Sequence, residues 1–202
     1  MGKLTFIIGG ARSGKSSFAQ KLAERSNKSV TFIATAQALD EEMSARIAKH
    51  RAERAALWTT LEIPFNIALS LREDSSQSLP SLSSAAGAPP RAYCRLYLLD
   101  CVTLLVTNLI MQNTQDDIGD ERKSMQAVES EIGELLAYIH EHEVDWIVIS
   151  NEVGQGLVPP YQLGRVYRDL LGMANQRLAS VADEVYWMVA GIPVPIHEFR
   201  LT

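Results

Sequence analysis

The stretch that decides the fold is residues 9–16, which read Gly-Gly-Ala-Arg-Ser-Gly-Lys-Ser. It fits the pattern G-x-x-x-x-G-K-[ST], follows an apolar run at Leu4–Ile8 and opens a segment with helical periodicity. Glycines in such a turn let backbone amides point at phosphate oxygens, and the helix N-terminus adds a favourable dipole. The sequence therefore predicts a phosphate-binding loop between a strand and a helix.

Apolar runs rich in branched residues recur along the chain, and each predicts a buried strand: Leu4–Ile8, Val30–Ala34, Leu96–Leu99, Trp146–Ile149 and Val185–Val189. Helix-period segments alternate with them, at Ser16–Arg25, Asp40–Trp58, Thr103–Met111, Glu121–His142 and Tyr161–Val181. This alternation is typical of βαβ crossovers around a mainly parallel sheet. We predict an α/β fold of the P-loop NTPase-like, RecA-like class, with helices on both faces of the sheet.

The composition bounds the organisation of the chain. Its 202 residues are 47% hydrophobic, enough for one sizeable core, so we expect a single domain over residues 1–202. The segment Glu73–Arg91 is crowded with Ser, Pro, Ala and Gly and predicts a flexible insertion within that domain. No run of 18 apolar residues is present, so we expect no membrane span.

Charge and cysteine content narrow the function classes. A net charge of -5 opposes a broad basic surface, so we expect no nucleic-acid partner. Two cysteines, Cys94 and Cys101, are too few for a disulfide framework or a four-ligand zinc site and predict reduced structural thiols. The N-terminus runs straight into a strand pattern without the features of a signal peptide, which indicates the cytoplasm.

The loop also predicts a metal site. Lys15 is expected to reach the β- and γ-phosphates of a nucleoside triphosphate, and the Ser16 hydroxyl to bind Mg²⁺. A second magnesium residue should be an acid at the end of a later buried strand, and Asp100 follows Leu96–Leu99. An Asp that caps the following helix is the alternative interpretation. Switches, motor ATPases and small-molecule kinases share such a loop, so it does not decide the reaction.

His50 is a candidate nucleophile. It lies four residues after Arg46 and four before Arg54, so the three side chains project near one face of the predicted helix. A histidine among arginines suits nucleophilic attack at phosphorus, because the arginines offset charge. Spacing alone favours a solvated helix histidine.

Several blocks, in order, resemble the adenosylcobinamide kinase/adenosylcobinamide-phosphate guanylyltransferase family. Besides residues 9–16 they are Ala34–Gln37, Asp40–Met43, Ala45–Ile47, His50, Thr107–Leu109, Asn151–Gly154 with Gly156, Val158 and Pro159, Asn175–Leu178 and Ala182–Val185. The resemblance covers nearly the whole chain and leaves out the segment 73–91.

The resemblance implies a bifunctional enzyme of cobalamin assembly that uses ATP and GTP. It phosphorylates adenosylcobinamide and then transfers GMP from GTP to the resulting phosphate, with His50 as the covalent carrier. It also implies catalytic roles for His50 and Lys15, and a homotrimer. The nucleotide contacts that it implies are Gly9, Gly10, Ala11, Arg12, Ser13, Gly14, Lys15, Ser16, Thr35, Ala36, Gln37, Arg51, Ala52, Glu53, Arg54, Glu62 and Asp100.

Two residues depart from the family pattern, and one residue keeps two interpretations. Asp100 stands where the family is expected to carry Glu, and Ala36 lacks a hydroxyl that relatives often have. Glu152 follows a predicted strand. One interpretation is that it orients substrate or relays a proton, and the other is that it rigidifies its loop.

The alternative functions are a single-activity P-loop small-molecule kinase, which uses no histidine, and a nucleotide-dependent switch that presents a partner surface.

Overall fold

The structure is a computed structural model that describes residues 2–52, 55, 57–77, 95–115 and 118–200. Strands and helices alternate along the chain as follows: β1 Leu4–Gly9, α1 Lys15–Arg25, β2 Ser29–Ala34, α2 Glu41–Ala52, β3 Thr59–Glu62, α3 Ile67–Gln77, β4 Arg95–Asp100, α4 Val102–Gln112, β5 Thr114–Gln115, β6 Ile118–Gly119, α5 Glu121–Glu141, β7 Asp145–Asn151, α6 Gln162–Val181, β8 Glu184–Val189 and β9 Ile192–Pro195. A short 3-10 helix, Ile196–Phe199, follows β9.

Seven strands form the main sheet in the order β3-β2-β4-β7-β1-β8-β9. All neighbours are parallel except β8 and β9, which form an antiparallel hairpin at one edge. Because the strands are parallel, β1, β2, β4 and β7 end at the same edge of the sheet, where open α/β folds bind their ligands. The predicted α/β, P-loop NTPase-like, RecA-like class is confirmed.

The side chains of β1 alternate between two apolar layers, which shows that helices cover both faces of the sheet. Leu4, Phe6 and Ile8 pack in the layer that contains side chains of α3, α4, α5 and α6. Ile7 points the other way and packs with Ala19 of α1. Fully burying one such large side chain contributes about 1.5–3 kcal/mol, so this strand is fixed firmly from both sides.

The structure corrects the sequence prediction between residues 40 and 77. The helix predicted over Asp40–Trp58 ends at Ala52, and β3 at Thr59–Glu62 and α3 at Ile67–Gln77 were not predicted. The predicted insertion 73–91 therefore begins too early, since residues 73–77 complete α3, and residues 78–91 lie outside the described part. Ile67, Ala68 and Leu71 bury one face of α3 in the core, which stabilises a helix in spite of its polar end.

Within the described ranges, every helix is either too short or too polar to cross a membrane.

Candidate active site

The predicted phosphate loop leaves the sheet at the end of β1 and enters α1 at Lys15. Gly14 has a φ of 93°, in the left-handed region that glycine adopts without steric cost. Its carbonyl oxygen accepts a hydrogen bond from the Phe18 amide at 3.0 Å, so α1 starts directly from the loop. On the outer side, the Gly191 amide donates to the Ser13 carbonyl oxygen at 3.0 Å. The loop is thus fixed at a helix N-terminus, a position that favours a bound phosphate.

Lys15 lies inside this loop. Its Nζ donates to the carbonyl oxygens of Gly9 at 3.0 Å and Gly10 at 2.6 Å, and the residue is 8% exposed. Burial lowers the pKa of Lys15 below its ordinary value, while the nearby Cys101 and Asp100 oppose that shift. An ammonium has three donors, and these two bonds use two of them. The geometry therefore holds a desolvated cation where the loop amides converge.

Ser16 and Asp100 meet at the carboxyl edge of the sheet. The Ser16 hydroxyl donates to Asp100 Oδ2 at 3.1 Å, and both residues are half-buried. A hydroxyl and a carboxylate are hard oxygen donors of the kind that Mg²⁺ prefers. The two predicted magnesium residues are therefore brought together, and their chemistry fits that ion.

Thr35 connects the end of β2 to the chain that follows Asp100. Its Oγ1 donates to the Cys101 carbonyl oxygen at 2.8 Å and accepts from the Cys101 amide at 2.9 Å. The Thr35 amide donates to the Asp100 carbonyl oxygen at 3.3 Å. The Thr35 side chain, which is fully buried, thus holds the backbone next to the predicted metal residue. Ala36 and Gln37 follow at the same edge and are half-buried.

The thiol next to this network is buried and hard to ionise. Burial is the main cause that raises the pKa of Cys101 to about 12, and Asp100 adds to the shift. A thiol with so high a pKa stays protonated at neutral pH and is a poor nucleophile and metal ligand. Cys101 is free, as the sequence predicted, and Cys94 lies outside the described residues.

Two more of the predicted nucleotide residues come together away from the loop. Arg51, near the end of α2, forms an ion pair with Glu62, the last residue of β3, and both side chains are more than half exposed. Ala52 is exposed at the end of α2. Glu53 and Arg54 lie outside the described residues.

The candidate nucleophile lies on the same helix. The backbone of His50 belongs to the last turn of α2, and Arg46 precedes it by one turn. The side chains of Arg46 and His50 lie outside the described part of the structure. Their predicted convergence on one face is therefore a prediction from helical spacing.

The end of β7 lies beside the phosphate loop. The Glu152 amide donates to the Gly9 carbonyl oxygen at 3.0 Å, and the Glu152 carboxylate accepts a hydrogen bond from the Gly154 amide. Thr103 Oγ1 accepts from the Asn151 amide at 2.9 Å. The Glu152 carboxylate thus closes a tight turn, in keeping with the interpretation that it rigidifies its loop.

Two buried asparagines support this edge, and the sequence analysis gave neither a role. Asn108 of α4 donates to the carbonyl oxygens of Thr35 and Pro64. Asn175 of α6 donates to the Asn151 carbonyl oxygen at 3.0 Å and accepts from the Ser150 hydroxyl at 2.6 Å. The sequence signal for such a residue is a polar side chain on the core-facing stripe of a helix. A polar group that is buried there has to be hydrogen-bonded, which indicates a structural role.

This fold and this site define a P-loop nucleotide-binding protein. A family model described as cobinamide kinase / cobinamide phosphate guanyltransferase matches residues 5–196. The chain is 40% identical over 190 residues to the bifunctional adenosylcobalamin biosynthesis protein CobP of Pseudomonas aeruginosa, covering 94% of this chain and 95% of that protein. It is 39% identical over 196 residues to the bifunctional adenosylcobalamin biosynthesis protein CobU of Escherichia coli, with 96% and 99% covered.

The chain therefore belongs to the cobinamide kinase / cobinamide phosphate guanyltransferase family, as the sequence motifs predicted. It is an enzyme of that family, a transferase with a P-loop nucleotide site.

Proposed function

We propose that this enzyme catalyses two steps of cobalamin assembly. It transfers a phosphoryl group from ATP or GTP to the hydroxyl of adenosylcobinamide, and it then transfers GMP from GTP to that phosphate to give adenosylcobinamide-GDP. The observation that carries the proposal is the loop at the carboxyl edge, where Lys15 and the Ser16–Asp100 pair converge. The match to the family over residues 5–196 supports the choice of substrates.

The kinase step uses the phosphate loop. The loop amides and the third donor of Lys15 bind the β- and γ-phosphates, and Ser16 and Asp100 hold Mg²⁺. When bound, the ion offsets the charge that develops on the transferred group. The substrate hydroxyl forms a bond to the γ-phosphorus and releases its proton to solvent, while the bond from that phosphorus to the leaving nucleoside diphosphate breaks. Such catalysis depends on positioning and charge stabilisation, which a loop fixed to β1 and, through Gly191, to the turn after β8 provides.

The guanylyl step uses His50 as the carrier. A neutral imidazole nitrogen attacks the α-phosphorus of GTP, a phosphorus–nitrogen bond forms, and pyrophosphate leaves. A phosphate oxygen of cobinamide phosphate then attacks the same phosphorus, and the phosphorus–nitrogen bond breaks as the imidazole leaves. Arg51 lies on the same helix, where its guanidinium forms an ion pair with Glu62, the last residue of β3.

Further properties belong to the same proposal. The whole chain forms one domain, and it assembles into a homotrimer in the cytoplasm without nucleic acid. Mg²⁺ is required in both steps, because both act on a triphosphate. Gly9–Ser16, Thr35–Gln37, 51–54, Glu62 and Asp100 form the nucleotide site.

The carrier assignment is tested with α-labelled GTP and Mg²⁺, followed by denaturation and separation of the protein. Wild-type protein should retain label, and His50→Ala should retain none. The matched control is His140→Ala, since His140 is exposed at the end of α5 and should label fully. The label should be lost in mild acid and survive alkali, because protonation of a phosphoramidate nitrogen makes imidazole a good leaving group.

Full labelling of His50→Ala, or a label that is stable to acid, would overturn the carrier assignment. If wild-type protein phosphorylates adenosylcobinamide but retains no acid-labile label from GTP, it is a single-activity kinase. If it binds GTP but shows no cobinamide-dependent turnover, it is a nucleotide-dependent switch.

A further inference from the structure

Asn108 of α4 has no part in the site proposed above, yet its side chain joins two segments of that site. Its Nδ2 donates to the carbonyl oxygen of Thr35 at 2.8 Å and to that of Pro64 at 2.9 Å. The residue is 8% exposed, and an asparagine amide has two N–H donors. Both donors are therefore used to connect carbonyl groups that lie far from Asn108 in the chain.

The two carbonyl groups lie on either side of α2 in the chain. Thr35 precedes the segment that leads into α2, and Pro64 follows β3, to which the chain returns after α2. β3 is at the end of the sheet and pairs with β2. The Ile63 amide donates to the Ala34 carbonyl oxygen at 2.9 Å, and the pairing of β3 with β2 ends there. The Asn108 amide therefore connects the two segments where the backbone ladder stops.

α2 depends on these flanking segments because it has little packing of its own. Among its described side chains none is buried: Met43 and Ile47 are half-buried and the others are exposed. Most helices in proteins are held by burial of one face, and here that contribution is small. Asp40 caps the helix by accepting from the Met43 amide at 2.6 Å. The location of α2 thus depends on the chain on either side of it.

We propose that Asn108 is a positioning residue for the guanylyl step: its amide fixes the two chain segments that enter and leave α2, and so places His50. This inference rests on the proposed function, in which His50 is the carrier. The metal side of the site is held by other bonds. Ser16 contacts Asp100, and Thr35 Oγ1 contacts Cys101, without the Asn108 amide.

The test compares the two half-reactions in the same protein preparation. Asn108→Ala removes both donors, and Asn108→Ser is a milder variant that keeps one hydroxyl donor. The matched control is Asn113→Ala, directly after the last residue of α4, where the side chain donates to the Leu109 carbonyl oxygen at 2.8 Å. The measurements are kcat and KM for labelling of His50 by α-labelled GTP, and kcat for cobinamide phosphorylation. The ratio of the two kcat values does not depend on the folded fraction.

In Asn108→Ala we expect the labelling kcat to fall about 10²-fold, since small misplacements of a reacting group are costly. The fold-decrease in the kinase kcat should be smaller by a factor of about ten or more, because the kinase step uses Lys15, Ser16 and Asp100. Asn113→Ala should leave the ratio unchanged. An unchanged ratio in both Asn108 variants would overturn the inference, and so would loss of folding in both, which would assign the amide to stability alone. Full labelling of His50→Ala would instead overturn the proposed carrier, and this inference with it.

Discussion

Ser16 and Asp100 are in hydrogen-bond contact at 3.1 Å although the strands that precede them are not neighbours. Ser16 follows β1 and Asp100 ends β4, and β7 lies between these two strands. The contact is achieved because Ser16 lies in the first turn of α1, beyond the end of β1, where the chain has left the sheet. The pair therefore joins the phosphate loop to the end of β4, across the intervening strand β7.

The first prediction concerns magnesium. Asp100→Asn keeps the shape of the side chain but removes its charge, and Ser16→Ala removes the other oxygen donor. Each change should lower both activities by about 10²-fold and raise the Mg²⁺ concentration at half-maximal rate. Magnesium titrations of each step measure this.

The double variant supplies the control for that pair. If Ser16 and Asp100 act on one ion, their effects should fall well short of additive. Fully additive losses, or an unaltered magnesium dependence in Asp100→Asn, would contradict a shared metal site.

The second prediction separates Lys15 from Lys21, the other lysine of α1. Lys15→Met should lower both kinase and guanylyl-transfer rates by about 10²-fold or more, because both substrates carry a triphosphate that needs this cation. Lys21→Met is the matched control, since Lys21 is exposed on α1. Steady-state rates of both steps test this prediction. Wild-type kinase turnover in Lys15→Met would contradict the assignment of residues 9–16 as the phosphate-binding loop.

The local parts of the fold and site could be predicted from the sequence. β1, the loop and α1 are consecutive in the chain. The apolar run indicates β1, the glycines indicate the loop, and the helical period indicates α1. Asp100 could be predicted as well, because it follows a buried strand directly. In each case the signal and the structure lie within about ten residues of one another.

The remaining parts depend on contacts that are distant in the chain. β3 has four residues and pairs with one neighbour, so its pattern is too short to separate from the end of a helix. Asn108 bonds to Thr35, which is 73 residues away, and no periodicity reveals that partner. The family resemblance predicts Arg51 and Glu62 as contacts of one nucleotide, whereas their direct contact with each other follows from the return of the chain through β3.

The third prediction compares two adjacent glycines of the loop. A Cβ on Gly9 would lie 2.7 Å from the carbonyl oxygen of Met188 in β8, whereas a Cβ on Gly10 would meet nothing within 4 Å. Gly9→Ala should therefore lower the free energy of unfolding by about 1–3 kcal/mol, since backbone must shift to admit the methyl group. Gly10→Ala should change it by about 0.5 kcal/mol or less. Denaturant unfolding measures both, and equal effects would contradict the close approach of β1 to β8.

The last prediction concerns the pH dependence of stability at Glu131. This residue of α5 is 6% exposed, and its carboxylate accepts hydrogen bonds from the amides of Asn66 at 2.8 Å and Ile67 at 2.9 Å, at the start of α3. Burial raises the pKa of Glu131 above its ordinary value of 4.5, although the two amides oppose the shift. The folded state therefore binds this proton more tightly than the unfolded state does.

A raised carboxyl pKa in the folded state means that stability falls as pH rises from 4.5 through the folded-state pKa. Glu131→Gln cannot titrate, so the free energy of unfolding of wild type relative to this variant should decrease over that range. Denaturant unfolding at a series of pH values measures the difference, with Glu129→Gln as the control, since Glu129 is exposed on the same helix. A relative stability of wild type that rises with pH would mean that the two amide bonds outweigh burial and lower the pKa of Glu131 instead.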